Sequence, residues 1–170
     1  MCTDVILNNL SFEKIHAASA VLAQCWKSAY QGLVNNEYLS SLKDTHWSEF
    51  LENGISGKTI RGIVAETDNQ IIGVTIFGKS ITPKYSSDGE IISLYVVPAF
   101  IGQGIGNVLF EKAQLLLKEQ GYRNCIACTF MKNEKAIGFY KSHGYELVSQ
   151  DEIVTLGTEE LPYVIMRKTL

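Results

Sequence analysis

The chain has 170 residues, of which 46% are hydrophobic and 19% charged, and its formal net charge is −3. This size and composition suit a single domain, residues 1–170, and exclude a disordered or collagen-like chain. The mild acidity disfavours nucleic acid as a partner, because phosphate contacts need clustered cations. No apolar run has the length of a membrane span, and the amino terminus lacks the features of a signal peptide, so we also expect no membrane partner.

Four cysteines are too few for a disulfide scaffold in a chain of this length. Cys125 and Cys128 have the CxxC spacing, but no second CxxC and no nearby histidine pair completes a zinc site. Their segment predicts a strand, in which positions three apart face opposite sides. The sequence therefore predicts reduced thiols, no metal site and a cytoplasmic protein.

In chain order, the amino-terminal part is predicted to be mostly helical after one short strand. The strand covers residues 4–10, and a helix over 12–30 follows with Ser11 as its N-cap. Two shorter helices are predicted around 37–42 and 45–51. Gly54 and Gly57 are expected to end this helical region.

From residue 59 onwards, strands become frequent. A hairpin over 59–66 and 71–77 is followed by a polar loop over 82–88 and by a strand over 90–97 that Pro98 ends.

The remaining elements alternate between helix and strand. They are a helix over 105–120, a strand over 125–130, a helix that begins at Asn133 and ends near 144, and strands over 145–155 and 163–168. With no repeat and no linker, one α+β domain is the simplest interpretation.

The most informative stretch is EIISLYVVPAFIGQGIGN, residues 90–107, in which a strand enters a turn with three alternating glycines and then a helix. The first N–H groups of a helix have no intrahelical partner, and with the helix dipole they suit a phosphate group. A Walker A loop would need GK[ST], and a GxGxxG fingerprint would need glycine at Asn107 or Leu109. The alternative is a turn whose glycines serve packing only.

These residues resemble the GNAT superfamily of acyl-CoA-dependent N-acetyltransferases. LYVVPAFIGQGIG is similar to the family's strand–Pro–pyrophosphate loop, [RQ]xxGxG[GA], and NEKAIGFYKSHGYE, residues 133–146, is similar to its second signature. Glu90 lies four residues before Leu94, where many members keep a catalytic carboxylate. The resemblance implies a mixed, mostly antiparallel sheet of six or seven strands flanked by helices, and acetyl-CoA as co-substrate.

The resemblance also implies the reaction: direct transfer of the acetyl group to a primary amine of a small molecule, such as a polyamine or an amino acid, in a ternary complex. Glu90 is then the candidate base, acting directly or through a water, and Tyr140 is the candidate acid at the CoA sulfur. The alternatives are a solvated Glu90 at a strand edge and a Tyr140 that serves only the core.

Cofactor contacts are carried over from the family onto one strand, the glycine-rich turn and one helix start. These residues are Leu94, Tyr95, Val96, Ile101, Gly102, Gln103, Gly104, Ile105, Gly106, Asn107 and Asn133. Ile101 departs from the usual Arg or Gln, which removes a side-chain contact to the pyrophosphate and implies looser binding. Gln103 is a candidate to compensate.

Three aromatic residues, Trp26, Tyr30 and Tyr85, are candidates to hold an acceptor ammonium by cation–π contact, with core packing as the alternative. Two other functions stay open: a catalytically weak CoA-binding sensor or interaction domain, and an acetyltransferase of protein or peptide amino termini. Exposed strand edges are compatible with a homodimer.

Overall fold

The computed structural model describes residues 4–170, and Cys2 lies outside these residues. The strands and helices, in chain order, are β1 (Ile6–Asn9), α1 (Ile15–Ala29), α2 (Asn36–Ser41), α3 (Ser48–Ser56), β2 (Ile60–Thr67), β3 (Gln70–Lys79), β4 (Gly89–Val96), α4 (Ile105–Glu119), β5 (Asn124–Phe130), α5 (Glu134–Ser142), β6 (Glu146–Leu156) and β7 (Glu159–Thr169). No helix within residues 4–170 has the length and apolarity that crossing a membrane requires.

The strands form one seven-stranded sheet in the order β1-β2-β3-β4-β5-β7-β6. All neighbouring strands are antiparallel except β4 and β5, which are parallel. The predicted fold class, a mixed and mostly antiparallel sheet flanked by helices, is confirmed.

Helices cover both faces of the sheet and bury two separate apolar clusters. Leu109 and Phe110 of α4 pack on one face with Phe77 of β3, while Ile15 and Leu22 of α1 belong to the cluster on the other face. Because successive side chains of a strand point to opposite faces, the central strands are apolar on both sides. The sheet is thereby fixed between α1 and α4.

Two helix boundaries differ from the sequence-based predictions. Residues Phe12–Lys14 form a 3₁₀ turn without a side-chain cap from Ser11, and α1 begins at Ile15. Gly54 does not end α3 but lies inside it, where a Cβ atom would come within 2.5 Å of the Ile60 side chain. Because glycine has no side chain, α3 can approach β2 closely. The sequence pattern of this close contact is the same as that of a glycine at the end of a helix.

The buried and exposed faces of α4 can be compared by replacing one leucine on each face with alanine. Leu109 is fully buried, whereas Leu115 is 48% exposed. Leu109→Ala should lower the free energy of unfolding by about 2–5 kcal/mol, because it leaves a cavity between α4 and the sheet. Leu115→Ala should change it by no more than about 0.5 kcal/mol. Urea unfolding followed by circular dichroism measures both, and equal losses would contradict this orientation of α4.

Candidate active site

The parallel strands β4 and β5 pair only near their starts and then separate. Gly89–Ile91 face Cys125–Ala127, and no further pairing between the two strands occurs in the described part of the chain. On its other side β4 stays paired with β3 as far as Val96. We call the opening between Ile92–Val96 and Cys128–Phe130 the strand gap. Backbone groups of β4 that point into it have no strand partner, so a ligand with amide groups can pair with them.

A β-bulge in β4 lies where the strand gap begins. Ile91 pairs with Phe77 and Ser93 with Ile76, which leaves Ile92 as an extra residue on β4. A bulge bends its strand and increases the local twist. It therefore lets β4 diverge from β5 while it remains hydrogen-bonded to β3.

The glycine-rich turn follows β4 and leads into the amino terminus of α4. Gly102 and Gly104 have φ values of 87° and 82°, a left-handed backbone conformation that suits glycine, and no atom lies within 4 Å of where their Cβ atoms would be. The helix starts at Ile105, so the N–H groups of its first turn are without intrahelical partners. Open space, free N–H groups and the positive end of the helix dipole together fit a phosphate group.

The side chains of this turn contribute less to a phosphate site than its backbone N–H groups do. Ile101 is 51% exposed. Gln103, the candidate to compensate for it, is exposed too, and its Nε2 lies 3.4 Å from the carbonyl oxygen of Ala99. The amide of Gln103 is thus turned back onto the loop.

Glu90 is buried at the closed end of the strand gap, with only 3% of its surface exposed. Its Oε2 atom accepts hydrogen bonds from Ser80 Oγ at 2.7 Å, Ile81 N at 2.9 Å, Thr82 Oγ1 at 3.2 Å and Thr82 N at 3.3 Å. The alternative of a solvated strand-edge glutamate is therefore wrong. The donors belong to the loop between β3 and β4, which sequence analysis did not connect with this carboxylate.

Tyr140 lies on α5, whose amino terminus Asn133 caps as predicted: Asn133 Oδ1 accepts a hydrogen bond from Ala136 N at 3.1 Å. The tyrosine is 7% exposed. Its ring packs near Phe110 and Tyr145, with centroid separations of 5.9 Å and 5.6 Å. Its hydroxyl forms no hydrogen bond within residues 4–170.

The environment of Tyr140 keeps its phenol protonated. Burial raises the pKa of Tyr140 well above its ordinary value, and nearby groups, including Tyr30, Cys125 and the Glu90 carboxylate, raise it further. The Tyr140 ring lies in the apolar cluster under α4, and Glu90 lies on β4 at the closed end of the strand gap.

Cys125 and Cys128 face opposite sides of β5, as their spacing predicts. Cys125 packs in the cluster under α4, whereas the Sγ atom of Cys128 lies 3.7 Å from Thr82 Oγ1. Burial raises the pKa of each thiol to about 12, and Glu90 adds to the shift of Cys128. Both thiols are therefore weak nucleophiles at neutral pH. Within residues 4–170, no three His, Cys, Asp or Glu side chains are grouped to hold a metal ion.

An aromatic cluster joins α1 to the two strands that border the strand gap. Tyr30 packs 4.7 Å from Trp26 and 4.9 Å from Phe130 between ring centroids, and its hydroxyl is 2.7 Å from that of Tyr95. Trp26 is half-buried and Tyr30 is buried. The third acceptor candidate, Tyr85, lies apart from this cluster.

Tyr85 instead packs beside a partly buried ion pair. The Arg167 guanidinium carbon is 5.6 Å from the centre of the Tyr85 ring, and Arg167 Nε donates to Asp88 Oδ2 at 2.8 Å. Lys84 lies 5.8 Å from the same ring centre. Because protein cations already occupy the surroundings of this ring, it is less suited than Trp26 to an incoming ammonium.

A second carboxylate, which the sequence did not single out, lies two strands away from β5 on the same face of the sheet as Glu90. Glu152 of β6 pairs with Tyr163 of β7, which in turn pairs with Phe130 of β5. Cross-strand partners share a face of the sheet, so the three side chains form a row on the face that α1 covers. Burial raises the pKa of Tyr163, with smaller contributions from Cys128, Glu152 and Glu90. The only sequence signal was alternation along β6, which does not say which face is functional.

Ser93 is another residue that sequence analysis did not single out. Its hydroxyl oxygen is enclosed and has no hydrogen-bond partner within residues 4–170. It lies on the part of β4 that borders the strand gap. An unpaired polar group in this position is typical of a site that ordinarily binds a ligand or water.

Comparisons with known proteins agree with this geometry. Residues 23–145 match the model of the acetyltransferase (GNAT) family. A spermidine N(1)-acetyltransferase of Thermoplasma acidophilum is 27% identical over 150 residues, covering 85% of this chain and 90% of that protein.

Solved structures with the same fold include one with coenzyme A and one with acetyl-CoA. The PaiA N-acetyltransferase of Thermoplasma acidophilum in complex with coenzyme A has a TM-score of 0.80 at 23% identity, over 98% of this chain and 99% of that one. The putative acetyltransferase yncA of Salmonella typhimurium with acetyl-CoA has a TM-score of 0.76 at 16% identity, over 99% and 95%. The family match extends over most of the chain, and this protein therefore belongs to the GNAT family of acetyltransferases.

Proposed function

We propose that residues 1–170 act as one cytoplasmic N-acetyltransferase domain that acetylates a primary amine of a small cationic molecule, such as a polyamine or an amino acid, in a ternary complex. The observation that carries this proposal is the strand gap, with the open glycine-rich turn beyond one end of its β4 edge and the buried Glu90 at the other. The unpaired thiols of Cys25, Cys125 and Cys128 are in keeping with a reducing compartment.

In this proposal, backbone groups bind acetyl-CoA. The N–H groups of Ile105–Asn107, with Gly102 and Gly104 giving access, would bind the pyrophosphate. The free edge of Leu94–Val96 would pair with the pantetheine amides. Asn133 is already engaged as a helix cap, which accounts for its presence without a cofactor contact. When bound, acetyl-CoA supplies an activated acetyl thioester.

Glu90 and Tyr140 have complementary roles in this proposal. An alkylammonium must lose a proton before its nitrogen can attack, and a buried carboxylate at the closed end of the gap can accept it. The Tyr140 hydroxyl has no protein partner and stays protonated, so it can donate a hydrogen bond to the departing thiolate. Because the pKa of this phenol is raised, sharing a hydrogen bond is favoured over complete proton transfer.

The surroundings of the acceptor side favour a cation. Glu90 and Glu152 lie on the face of the sheet that α1 covers, and Trp26 of α1 is half-exposed. The nearby cation Arg167 is paired with Asp88 through two hydrogen bonds. The similarity to a spermidine acetyltransferase supports a polyamine within this class.

The turn can be tested with one substitution and a matched control on the same helix. Gly104→Val should weaken coenzyme A binding by about tenfold or more, because a β-branched residue disfavours positive φ and would disturb the N–H groups around the phosphate. Gly121, at the far end of α4, has a φ of 91° and equally open surroundings. Gly121→Val should therefore cost stability without weakening binding. Isothermal titration calorimetry measures both, and unchanged affinity in Gly104→Val would contradict the proposed cradle.

Tyr140→Phe removes only the hydroxyl and should lower kcat on the order of 10²-fold with little change in coenzyme A affinity. Tyr145→Phe is the control, since Tyr145 lies in the same aromatic cluster but its hydroxyl accepts a hydrogen bond from Gln114 Nε2 at 2.9 Å. Steady-state release of free thiol reports kcat. Equal rates in the wild type and Tyr140→Phe would remove Tyr140 from the mechanism.

The acceptor class is tested by thiol release from acetyl-CoA with spermidine, butylamine, lysine and a short peptide with a free amino terminus. We expect spermidine to give a higher kcat/KM than butylamine, and Glu152→Gln to raise KM for spermidine about fivefold by removing one partly exposed ion pair. Butylamine, with one charge, should respond less.

Glu160→Gln is the matched control, because Glu160 points to the opposite face of β7 and carries the same charge. It should leave KM for spermidine unchanged. Thiol release with the peptide alone would replace the small-molecule proposal by acetylation of peptide amino termini. No release with any amine would indicate a coenzyme A sensor.

A further inference from the structure

One oxygen of the Glu90 carboxylate is surrounded by hydrogen-bond donors, and the other is not. The loop between β3 and β4 supplies two hydroxyls and two backbone N–H groups, from Ser80, Ile81 and Thr82, all within 3.3 Å of Oε2. We call these four groups the donor cluster. No group of residues 4–170 donates to Oε1.

The donor cluster is held in place from both ends of its loop. Ser80 N donates to the carbonyl oxygen of Asp88 at 3.0 Å, and the Asp88 carboxylate is fixed by Arg167. Within the loop, Thr82 N lies 3.1 Å from Ser80 Oγ. Thr82 Oγ1 also contacts Cys128 Sγ on β5, so the loop bridges the two strands that form the strand gap.

This asymmetry has a chemical consequence for the proton. A carboxylate oxygen has two lone pairs, and four donors more than occupy those of Oε2. Hydrogen bonds to a charged acceptor are also stronger than neutral ones, so they stabilise negative charge on Oε2. A proton that reaches this carboxylate therefore finds an accessible lone pair only on Oε1.

We infer that Ser80 and Thr82 are positioning residues that fix the Glu90 carboxylate through Oε2 and leave Oε1 as the atom that accepts the proton of the acceptor ammonium. This inference rests on the proposed role of Glu90 as the base. In the step concerned, an N–H bond of the ammonium breaks, its electron pair stays on nitrogen, and an O–H bond forms at Oε1. The proton passes to solvent before the next turnover.

A purely structural role is the competing explanation, in which the hydroxyls only stabilise the loop. That role predicts that removing the hydroxyls lowers the unfolding temperature, and that any effect on kcat is the same whether residue 90 is Glu or Gln. A positioning role predicts a loss in kcat, while KM for acetyl-CoA and coenzyme A affinity stay constant, because the donor cluster lies outside the proposed phosphate and pantetheine contacts.

The experiment compares Ser80→Ala/Thr82→Val with Thr82→Ser, which keeps the hydroxyl, in thiol release from acetyl-CoA with spermidine. The double variant should lower kcat by roughly tenfold to 10²-fold, since a small misplacement of a catalytic group has effects of this size. Thr82→Ser should stay within about twofold of the wild type because its donor is retained. The same double substitution in a Glu90→Gln background should cause no further loss, because residues that act through one another are not additive.

The outcomes separate this inference from the proposed function. A wild-type rate in Glu90→Gln would remove Glu90 as the base and overturn this inference, while the proposed acetyl transfer to spermidine would keep its support. If Glu90→Gln lowers kcat but Ser80→Ala/Thr82→Val does not, only the inference is overturned. The inference is also overturned if the double substitution lowers kcat by the same factor in the wild type and in Glu90→Gln. If the double variant lacks the wild-type circular dichroism spectrum, Thr82→Val alone, which keeps the Ser80 hydroxyl, gives the same comparison.

Discussion

The separation of β4 from β5 is the constraint on which the whole site depends. Each strand is tied firmly on its outer side, β4 to β3 over seven residue pairs and β5 to β7 over seven. Between them only three pairs form. The two halves of the sheet therefore diverge without losing their own hydrogen bonds, and the missing pairs of one strand edge become groups that a ligand can use. The aromatic cluster with α1 covers the opening on one face, and α4 supports the sheet on the other.

The two groups proposed for proton transfer, a carboxylate on β4 and a phenol on α5, lie in different surroundings. A buried charge is costly unless it is hydrogen-bonded, and the donor cluster meets that requirement for Glu90. Tyr140 is buried among aromatic rings without a hydrogen bond to its hydroxyl, so its neutral form is favoured. The proposed base and the proposed acid are thus distinguished by their neighbours more than by their residue types. The same burial makes the two thiols of β5 inert, which leaves the carboxylate and the phenol as the groups suited to moving protons.

Much of the fold and several local features of the candidate site could be predicted from the sequence. The periodicity of α4, the Asn133 cap and the glycine-rich turn were all recognised, because each depends on residues within a few positions of one another. Gly54 shows the limit of that approach: a local signal for the end of a helix was in fact a close contact with β2. The burial of Glu90 and the ion pair beneath Tyr85 were also beyond reach, since Arg167 is 79 residues from Asp88.

The sequence by itself determined the order of the elements, the phosphate-suited turn and the family to which its motifs point, because backbone conformation and helix ends are governed by nearest neighbours along the chain. Only the tertiary structure decided which atoms surround Glu90 and that Glu152 lies on the same face of the sheet as Glu90. It also decided that the cations of Lys84 and Arg167 lie beside the Tyr85 ring. These facts follow from strand register and from where the bulge at Ile92 bends β4. Register depends on the packing of both faces at once, and alternation along a single strand does not specify it.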